Sequence, residues 1–476
     1  MFMADFLAIV AAYYATIFLR FHSDLGIHIY GALPKLIVDQ HMGFVGPEFE
    51  AFYLESALRI ILILTTVICL LYAIRQLYAG RRFLLAQPEA WNILVSNVIA
   101  LGIFYAYWYL QRNVYHPRSM FASIIVLNTV LCILFRRITS KLEQHLRQQG
   151  AMETCRALLV GSGEEAGFIA TILEILQPHG ITCIRKLQLD RQAPFKDQLQ
   201  SIVTTINETQ ADMLISAEKD LSVPQIMQIL EKTATLGVPT KILSEKLDVL
   251  VSQAKLPCDI IHGIPLVHFG APSKNGGKGR IRQGLTIATA SIALFLTAPL
   301  LAIIGLLVLI TSRGPAIFVQ ERIGVNRKPF RMYKFRTMHN KSEELQAQIE
   351  EFNESAGALF KIRKDPRITP VGRFLRRFSL DELPQLLNII KGDMALVGPR
   401  PLPQRDFENY YEDWHYSRHG GLPGLTCLWQ ISGRSNIDFH NMCILDVYYL
   451  RNHTWIMDID IALRTIKVVL FGTGAY

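Results

Sequence analysis

No two of the seven cysteines stand at zinc-binding spacing, and nothing in their placement suggests a disulfide framework. Cys69, Cys132, Cys155, Cys183, Cys258, Cys427 and Cys443 are scattered along the chain. No DNA- or RNA-binding motif is present, which sets nucleic acid aside as a partner. The opening run MFMADFLAIVAAYYATIFLRF lacks a basic n-region and an A-x-A site, so it reads as a retained helix. Charge is also scarce. Only 19% of residues are charged, 50% are hydrophobic and mean hydropathy is +0.24, the balance of an integral membrane protein. The charge present leans basic, 49 Lys and Arg against 40 Asp and Glu, a net of +9. On a membrane protein this excess points to anionic headgroups or a phosphorylated substrate. At 476 residues the chain is too long for one ordinary domain.

Four apolar runs of spanning length fill the first third, at roughly 2–21, 57–74, 91–110 and 120–138. The loop 22–56 has Lys35 as its only Lys or Arg, against Asp24, Asp39, Glu48, Glu50 and Glu55. Arg75, Arg81 and Arg82 follow the second run, and Arg136, Arg137, Lys141 and Arg147 the fourth. Positive-inside bias places both ends of this four-helix unit (1–148) in the cytoplasm, although Arg112 and Arg118 in the third loop run mildly against it.

Residues 151–265 have soluble composition. RALLVGSG (156–163) reads as a strand entering a glycine turn, with EEAGFIATILEIL as the following helix. ITCIRKLQL (181–189) and DMLISA (212–217) read as further strands, and QIMQILEKTATLG as another helix, which predicts a small parallel α/β domain of Rossmann-like type. Gly161-x-Gly163-x-x-Ala166 is either a dinucleotide fingerprint, with Asp190 as the ribose-binding acid, or a tight strand-to-helix turn. The domain has no tyrosine, which removes a Tyr-x-x-x-Lys catalytic pair. It is given a regulatory or structural part.

The stretch 285–312 carries no charge and is long enough to cross a bilayer. Lys274, Lys278, Arg280 and Arg282 precede it, and Arg313, Arg322, Arg327, Lys328, Arg331, Lys334 and Arg336 follow. A straight crossing would leave one basic flank outside, against the orientation bias. Pro299 removes a helix hydrogen bond and Thr297 could satisfy a freed carbonyl, so a re-entrant helix-break-helix is expected, with a kinked full span as the alternative.

The densest chemistry lies in KIRKDPRITPVGRFLRRFSLDELPQLLNIIKGDMALVGPRP (361–401). Asp381 and Glu382 stand together at the start of an apolar-periodic helix. Arg363, Lys364, Arg367, Arg373, Arg376 and Arg377 precede them, and Arg400 follows between two prolines. Ser379 and Glu382 have capping-box spacing, but Pro384 favours a helix beginning at Asp381. Mg²⁺ fits such a site, since it takes one or two carboxylates plus substrate phosphates. One carboxylate on the metal leaves its neighbour free to attack phosphorus, while arginines neutralise the transferring group.

These residues resemble the bacterial sugar transferase family, the monotopic polyprenyl-phosphate hexose-1-phosphate transferases. The matching stretches are RGPAIFVQERIGVNRKPFRMYKFRTM (313–338), residues 364–401, PGLTCLWQISGR (423–434) and the ending GAY. Four helices, an α/β domain and a mostly α monotopic catalytic domain (275–476) resemble the long form of that family. The resemblance implies transfer of hexose-1-phosphate, of galactose or glucose, from a UDP-sugar to undecaprenyl phosphate with release of UMP. That is a first membrane step of O-antigen, capsule or exopolysaccharide synthesis. It implies Asp381 as nucleophile, Asp381 and Glu382 as the Mg²⁺ site, and Arg376 and Arg400 near the substrate phosphates. It also implies a re-entrant helix about 282–312 with its break at Ala298-Pro299. Arg373, Lys364 and Arg367 are further phosphate candidates, and Gln430 and Arg434 further substrate-site candidates. The implied setting is a bacterial inner membrane with the soluble domains on the cytoplasmic side, and a homodimer is allowed.

The chain departs from the family at Ala298 (serine there), at Gln283 and Thr286 in the basic-then-acidic lead-in, at Leu309 and Thr311, and at Cys427 (glycine there). Cys427 reads as a packing change and not a nucleophile. Asp458-Ile-Asp460 has D-x-D spacing, but WIMDIDIALRTIKVVLFG reads better as an amphipathic helix on the membrane surface. KSEELQAQIEEFNE (341–354) reads as an exposed charged helix over the site. Two other functions stay open: a glycosyltransferase releasing UDP through Asp458 and Asp460, and a non-catalytic membrane scaffold or nucleotide sensor.

Overall fold

The structure is a computed structural model that describes residues 1–24, 47–75, 77–78, 89–111, 118–149, 151–177, 180–190, 192–256, 258–271, 276–312, 314–339, 366–404, 411–433 and 437–471. The chain forms two compact units, Met1–Cys155 with Ile172–Thr182, and Arg156–Thr171 with Cys183–Tyr476.

In the first unit, helices Phe2–His22, Ala57–Ile74, Glu89–Gln111 and Arg118–Gln148 cover the four apolar runs. All four are long and apolar enough to cross a membrane. The last continues well past its apolar run, because SKLEQHLRQ consists mostly of good helix formers. Hydrophobicity marks the stretch suited to lipid, not the end of the helix. Arg136, counted above as a loop charge, is buried. Its guanidinium donates to both oxygens of Asp5 at 2.6 and 2.7 Å, pairs with Glu89 and lies over Tyr72 and Tyr78. A charge inside an apolar bundle is stable only when paired in this way.

The central sheet has the order β2-β1-β3-β4-β6-β5. Its strands are β1 (Cys155–Val160), β2 (Ile181–Leu187), β3 (Met213–Ser216), β4 (Thr240–Leu243), β5 (Asp259–Ile261) and β6 (Ile264–Phe269). β1 and β3 are parallel as expected, and β4, a strand not foreseen, pairs in parallel with β3; β4–β6 and β5–β6 are antiparallel, so the sheet is mixed. The added hairpin turns at His262-Gly263, both at positive φ, a tight turn that the sequence reading missed. Gly161 sits at φ +140°, where a Cβ would press on Ala217, so this glycine serves the turn geometry. At the start of the next helix, the Glu165 carboxylate lies against Gly163 and accepts from Lys219 Nζ at 3.1 Å. The first turn of this helix thus carries the protein's own carboxylate. Asp190 caps its own loop by accepting from Gln192 N at 2.9 Å.

The C-terminal part begins with one helix, Gly276–Thr311, of 36 residues. The break expected at Ala298-Pro299 is absent. Pro299 lies inside the helix, and the Thr297 hydroxyl donates to Ala293 O at 2.7 Å, not to the carbonyl of Phe295 that the proline leaves free. One lost hydrogen bond does not end a helix whose other turns are intact. β7 (Ile317–Ile323) and β8 (Pro329–Phe335) then form an antiparallel hairpin, and β9 (Ala395–Val397) pairs in parallel with β10 (Gly424–Thr426). The helix Phe439–Asn452 is nearly all buried. It packs against the central sheet on one side, where Phe269 meets Tyr448 edge-on at 5.8 Å and Asn452 hydrogen-bonds both Gly270 N and His268 O.

Candidate active site

Asp381 and Glu382 lie in a 3-10 turn, Leu380–Gln385, and an α-helix begins only at Leu386. Of the two registers weighed above the chain takes the one with Ser379 at the cap, but without the capping box. Ser379 takes the cap position but in left-handed conformation, φ 51°, with no side-chain cap bond. Pro384 cannot donate, so the chain stays in 3-10 form until it is past the ring. Glu382 is then free of capping duty. Its Oε1 accepts from Arg400 Nη2 at 2.7 Å and from Lys334 Nζ at 3.1 Å.

Lys334 and Arg322 were not singled out by sequence. In the β7–β8 register Gln320 faces Met332, and Lys334 is two residues beyond Met332 on the same side. The side chain of Asn388, wholly buried, fixes β8 by donating to Arg331 O and accepting from Tyr333 N. Arg322, Lys334 and Arg400 line a cleft together with Met332, Gln385, Pro401 and Gly424. Three cations, two of them paired with Glu382, give this cleft a positive lining, a charge that suits a polyanion.

The two carboxylates differ in state. Arg400 and Lys334 hold Glu382 well below the usual carboxylate range despite its burial. Asp381 is 8% exposed and accepts no hydrogen bond among the described residues. Burial, then the charge of Glu382, pushes its pKa up, while Lys334, Arg376 and Arg400 pull the other way. One acid is therefore committed to two cations and the other is uncommitted. Among the described residues no three His, Cys, Asp or Glu form a metal cluster. The donor set suits an ion that takes most of its ligands from substrate phosphate and water.

The remaining candidates separate. Arg376 donates to Thr337 Oγ1 at 2.9 Å beside the pair. Its helix, Pro370–Arg377, comes this close because Gly372 meets the Thr337 backbone where any Cβ would clash. Arg373 points outward and Arg367 is buried, and neither is joined to Asp381 or Glu382 by a hydrogen bond or ion pair. Gln430 accepts from the thiol of buried Cys427, which burial keeps protonated. Lys364, Arg434 and the segment 341–354 lie outside the described residues. The D-x-D pair splits, since Asp458 bonds Arg282 and Tyr449 while Asp460 pairs with Arg464 on the exposed side.

Next to this site His415 and His419 are held neutral. Glu412 N donates to His415 Nδ1, and Tyr411 lies within hydrogen-bond reach of His419 Nε2. Burial lowers both to about 4. The unfolded chain binds these protons below about pH 6.5 while the folded chain does not. Stability is therefore complete above that pH and is lost as pH falls toward 4, on the order of 1–2 kcal/mol for each histidine by pH 5. Thermal unfolding in nanodiscs should show a lower Tm at pH 5 than at pH 7.5, with the drop shrinking in His419→Gln. An unchanged Tm would remove the assignment.

The chain belongs to the bacterial sugar transferase family, whose model matches residues 278–472. The exopolysaccharide production protein ExoY of Rhizobium meliloti is 39% identical over 202 residues, covering 42% of this chain and 89% of that protein. The galactosyl transferase CpsE of Streptococcus agalactiae is 48% identical over 163 residues, 34% of this chain and 36% of CpsE. The undecaprenyl-phosphate galactose phosphotransferase of Salmonella typhimurium is 46% identical over 167 residues, 34% of this chain and 35% of that enzyme. The match thus spans about a third of the length of these last two.

Proposed function

We propose that this protein transfers hexose-1-phosphate, of galactose first and glucose second, from a UDP-sugar to undecaprenyl phosphate. The observation that carries this reading is the uncommitted Asp381 beside a Glu382 already held by Lys334 and Arg400, on a cleft of three cations. An Asp381 oxygen attacks the phosphorus that bears the sugar, and the bond to UMP breaks, leaving an acyl-phosphate sugar on the enzyme. An oxygen of undecaprenyl phosphate attacks the same phosphorus and releases the Asp381 carboxylate. Arg400, Lys334 and Arg322 neutralise the diphosphate and then the leaving UMP. The same carboxylates would hold Mg²⁺, which would supply further charge neutralisation at the phosphates. Galactose is favoured because relatives sharing this part of the chain carry that sugar in their names.

We read the long helix as bent at Pro299 without being interrupted there, which is compatible with a re-entrant seating at the inner leaflet. Ala290 in its first half packs on Met332, Leu386 and Ile389, and Ile304 and Val308 in its second half on Phe335 and Leu375. A helix that crossed the bilayer would carry its halves away from one another's partners, yet β8 touches both. Leu285, Ile292, Phe295, Leu296, Ile303 and Ile310 remain exposed, a face suited to lipid.

A panel of UDP-sugars with undecaprenyl phosphate, scored for UMP, tests the reaction. UDP as the product would replace it with the glycosyltransferase reading, and no nucleotide with any sugar would favour the scaffold or sensor. Chelation with EDTA should remove at least about 90% of activity, and Mg²⁺ should restore it. Full activity in EDTA would exclude the metal.

A further inference from the structure

The segment Pro399-Arg400-Pro401-Leu402-Pro403 cannot be held as an ordinary strand, because its prolines offer no N–H. Its carbonyls are gripped separately. Gly424 N donates to Pro399 O at 2.9 Å, Arg322 Nη1 to Pro401 O at 3.1 Å and Ile323 N to Leu402 O at 3.1 Å. The carbonyl of Arg400 itself accepts from Arg418 Nη2 at 2.7 Å.

Arg418 is 1% exposed, as is its partner Asp446. Its Nε and Nη2 reach Asp446 Oδ2 at 3.0 and 2.6 Å, and Nη1 reaches the Tyr411 hydroxyl at 2.9 Å. Four directed bonds hold the guanidinium plane in one orientation, and only a fork of Arg geometry makes them together. Asp446 stands on the helix Phe439–Asn452, which the central sheet clamps through Tyr448 and Asn452. A chain of hydrogen bonds thus runs from the buried helix to the backbone of Arg400, whose guanidinium grips Glu382 at 2.7 Å.

We propose that the buried Arg418–Asp446 pair is a positioning device for Arg400. It fixes the Arg400 main chain so that the guanidinium reaches Glu382 and the substrate diphosphate together. This rests on the reading of Arg400 as a phosphate-binding arginine. Misplacing such a group by about an ångström costs up to roughly a hundredfold in rate.

The test is a double-mutant cycle on the full-length chain in nanodiscs, read as kcat/KM for UMP release with the Tm recorded for each variant. Arg418→Lys, which keeps the charge and loses the fork, should lower kcat/KM by about 10–100-fold. In an Arg400→Lys background the same change should lower it less than about threefold, since the device has lost its object. Losses that multiply overturn the proposal. Arg418→Met with Asp446→Leu replaces the pair by apolar groups that can keep the fold. This folded variant should show the same loss, and wild-type kcat/KM in it overturns the proposal. If wild type releases no UMP, the proposed reaction fails on its own account. The same cycle is then read as UDP affinity, where coupled losses support positioning and independent losses refute it.

Discussion

Asp381→Asn should lower UMP release by at least about a thousandfold, because an amide oxygen does not form the acyl phosphate through which transfer proceeds. The fold should not suffer. Asp381 accepts no hydrogen bond among the described residues, and its carboxyl is pushed up by burial and by Glu382. Replacing it with an isosteric neutral group removes both penalties, so the variant should melt at or above the wild-type temperature. A dead variant that also melts well below wild type would mean that Asp381 is structural. An active one would mean that another group attacks phosphorus.

The second large effect concerns the central domain. A fragment of residues 275–476 should unfold about 10 °C or more below the full chain, or aggregate. One continuous core joins Leu247, Leu250, Val267 and Phe269 to Trp414, Phe439, Cys443, Val447 and Tyr448. Cutting before residue 275 exposes that apolar face of the helix Phe439–Asn452 and strips Asn452 of Gly270 and His268. Arg451 Nη1 also loses the Leu230 carbonyl, at 3.0 Å. Supplying residues 151–271 in trans should restore part of the loss. A fragment with the Tm of the full chain would show that this shared core contributes nothing. The Rhizobium relative, matched over 89% of its length, sets the fragment size at which to look.

The acidic pair and its basic surroundings were legible as a cluster. Two adjacent acids ahead of an apolar-periodic run, with arginines on both sides, draw attention to Asp381 and Glu382 from residue type and spacing alone, and the family resemblance adds Arg376 and Arg400. The structure brings Arg400 onto Glu382 and leaves Arg376 on Thr337. Lys334 and Arg322 were written off as basic flank, since nothing in a strand's sequence says which of its charges turn toward a partner 48 residues away. The capping box at Ser379 failed for a local reason, as Pro384 forces a 3-10 turn and Glu382 finds two cations that outbid an amide. The expected break at Pro299 failed because proline removes one bond from a helix that has many others.

Apolar length by itself determined where the four N-terminal spans and the long helix lie, though not where the helices Arg118–Gln148 and Gly276–Thr311 begin or end, because burial of apolar surface is additive along a segment. Residue chemistry singled out the adjacent acids and the arginines around them as the place to look for a phosphate site. Only the tertiary structure decided which acid is committed and which is not, since that depends on where Lys334 and Arg400 come to rest. It also decided that Arg136 and Arg418 are buried partners of Asp5 and Asp446 and not surface charge. Electrostatic energy depends on distance and burial, and neither is written in the order of residues.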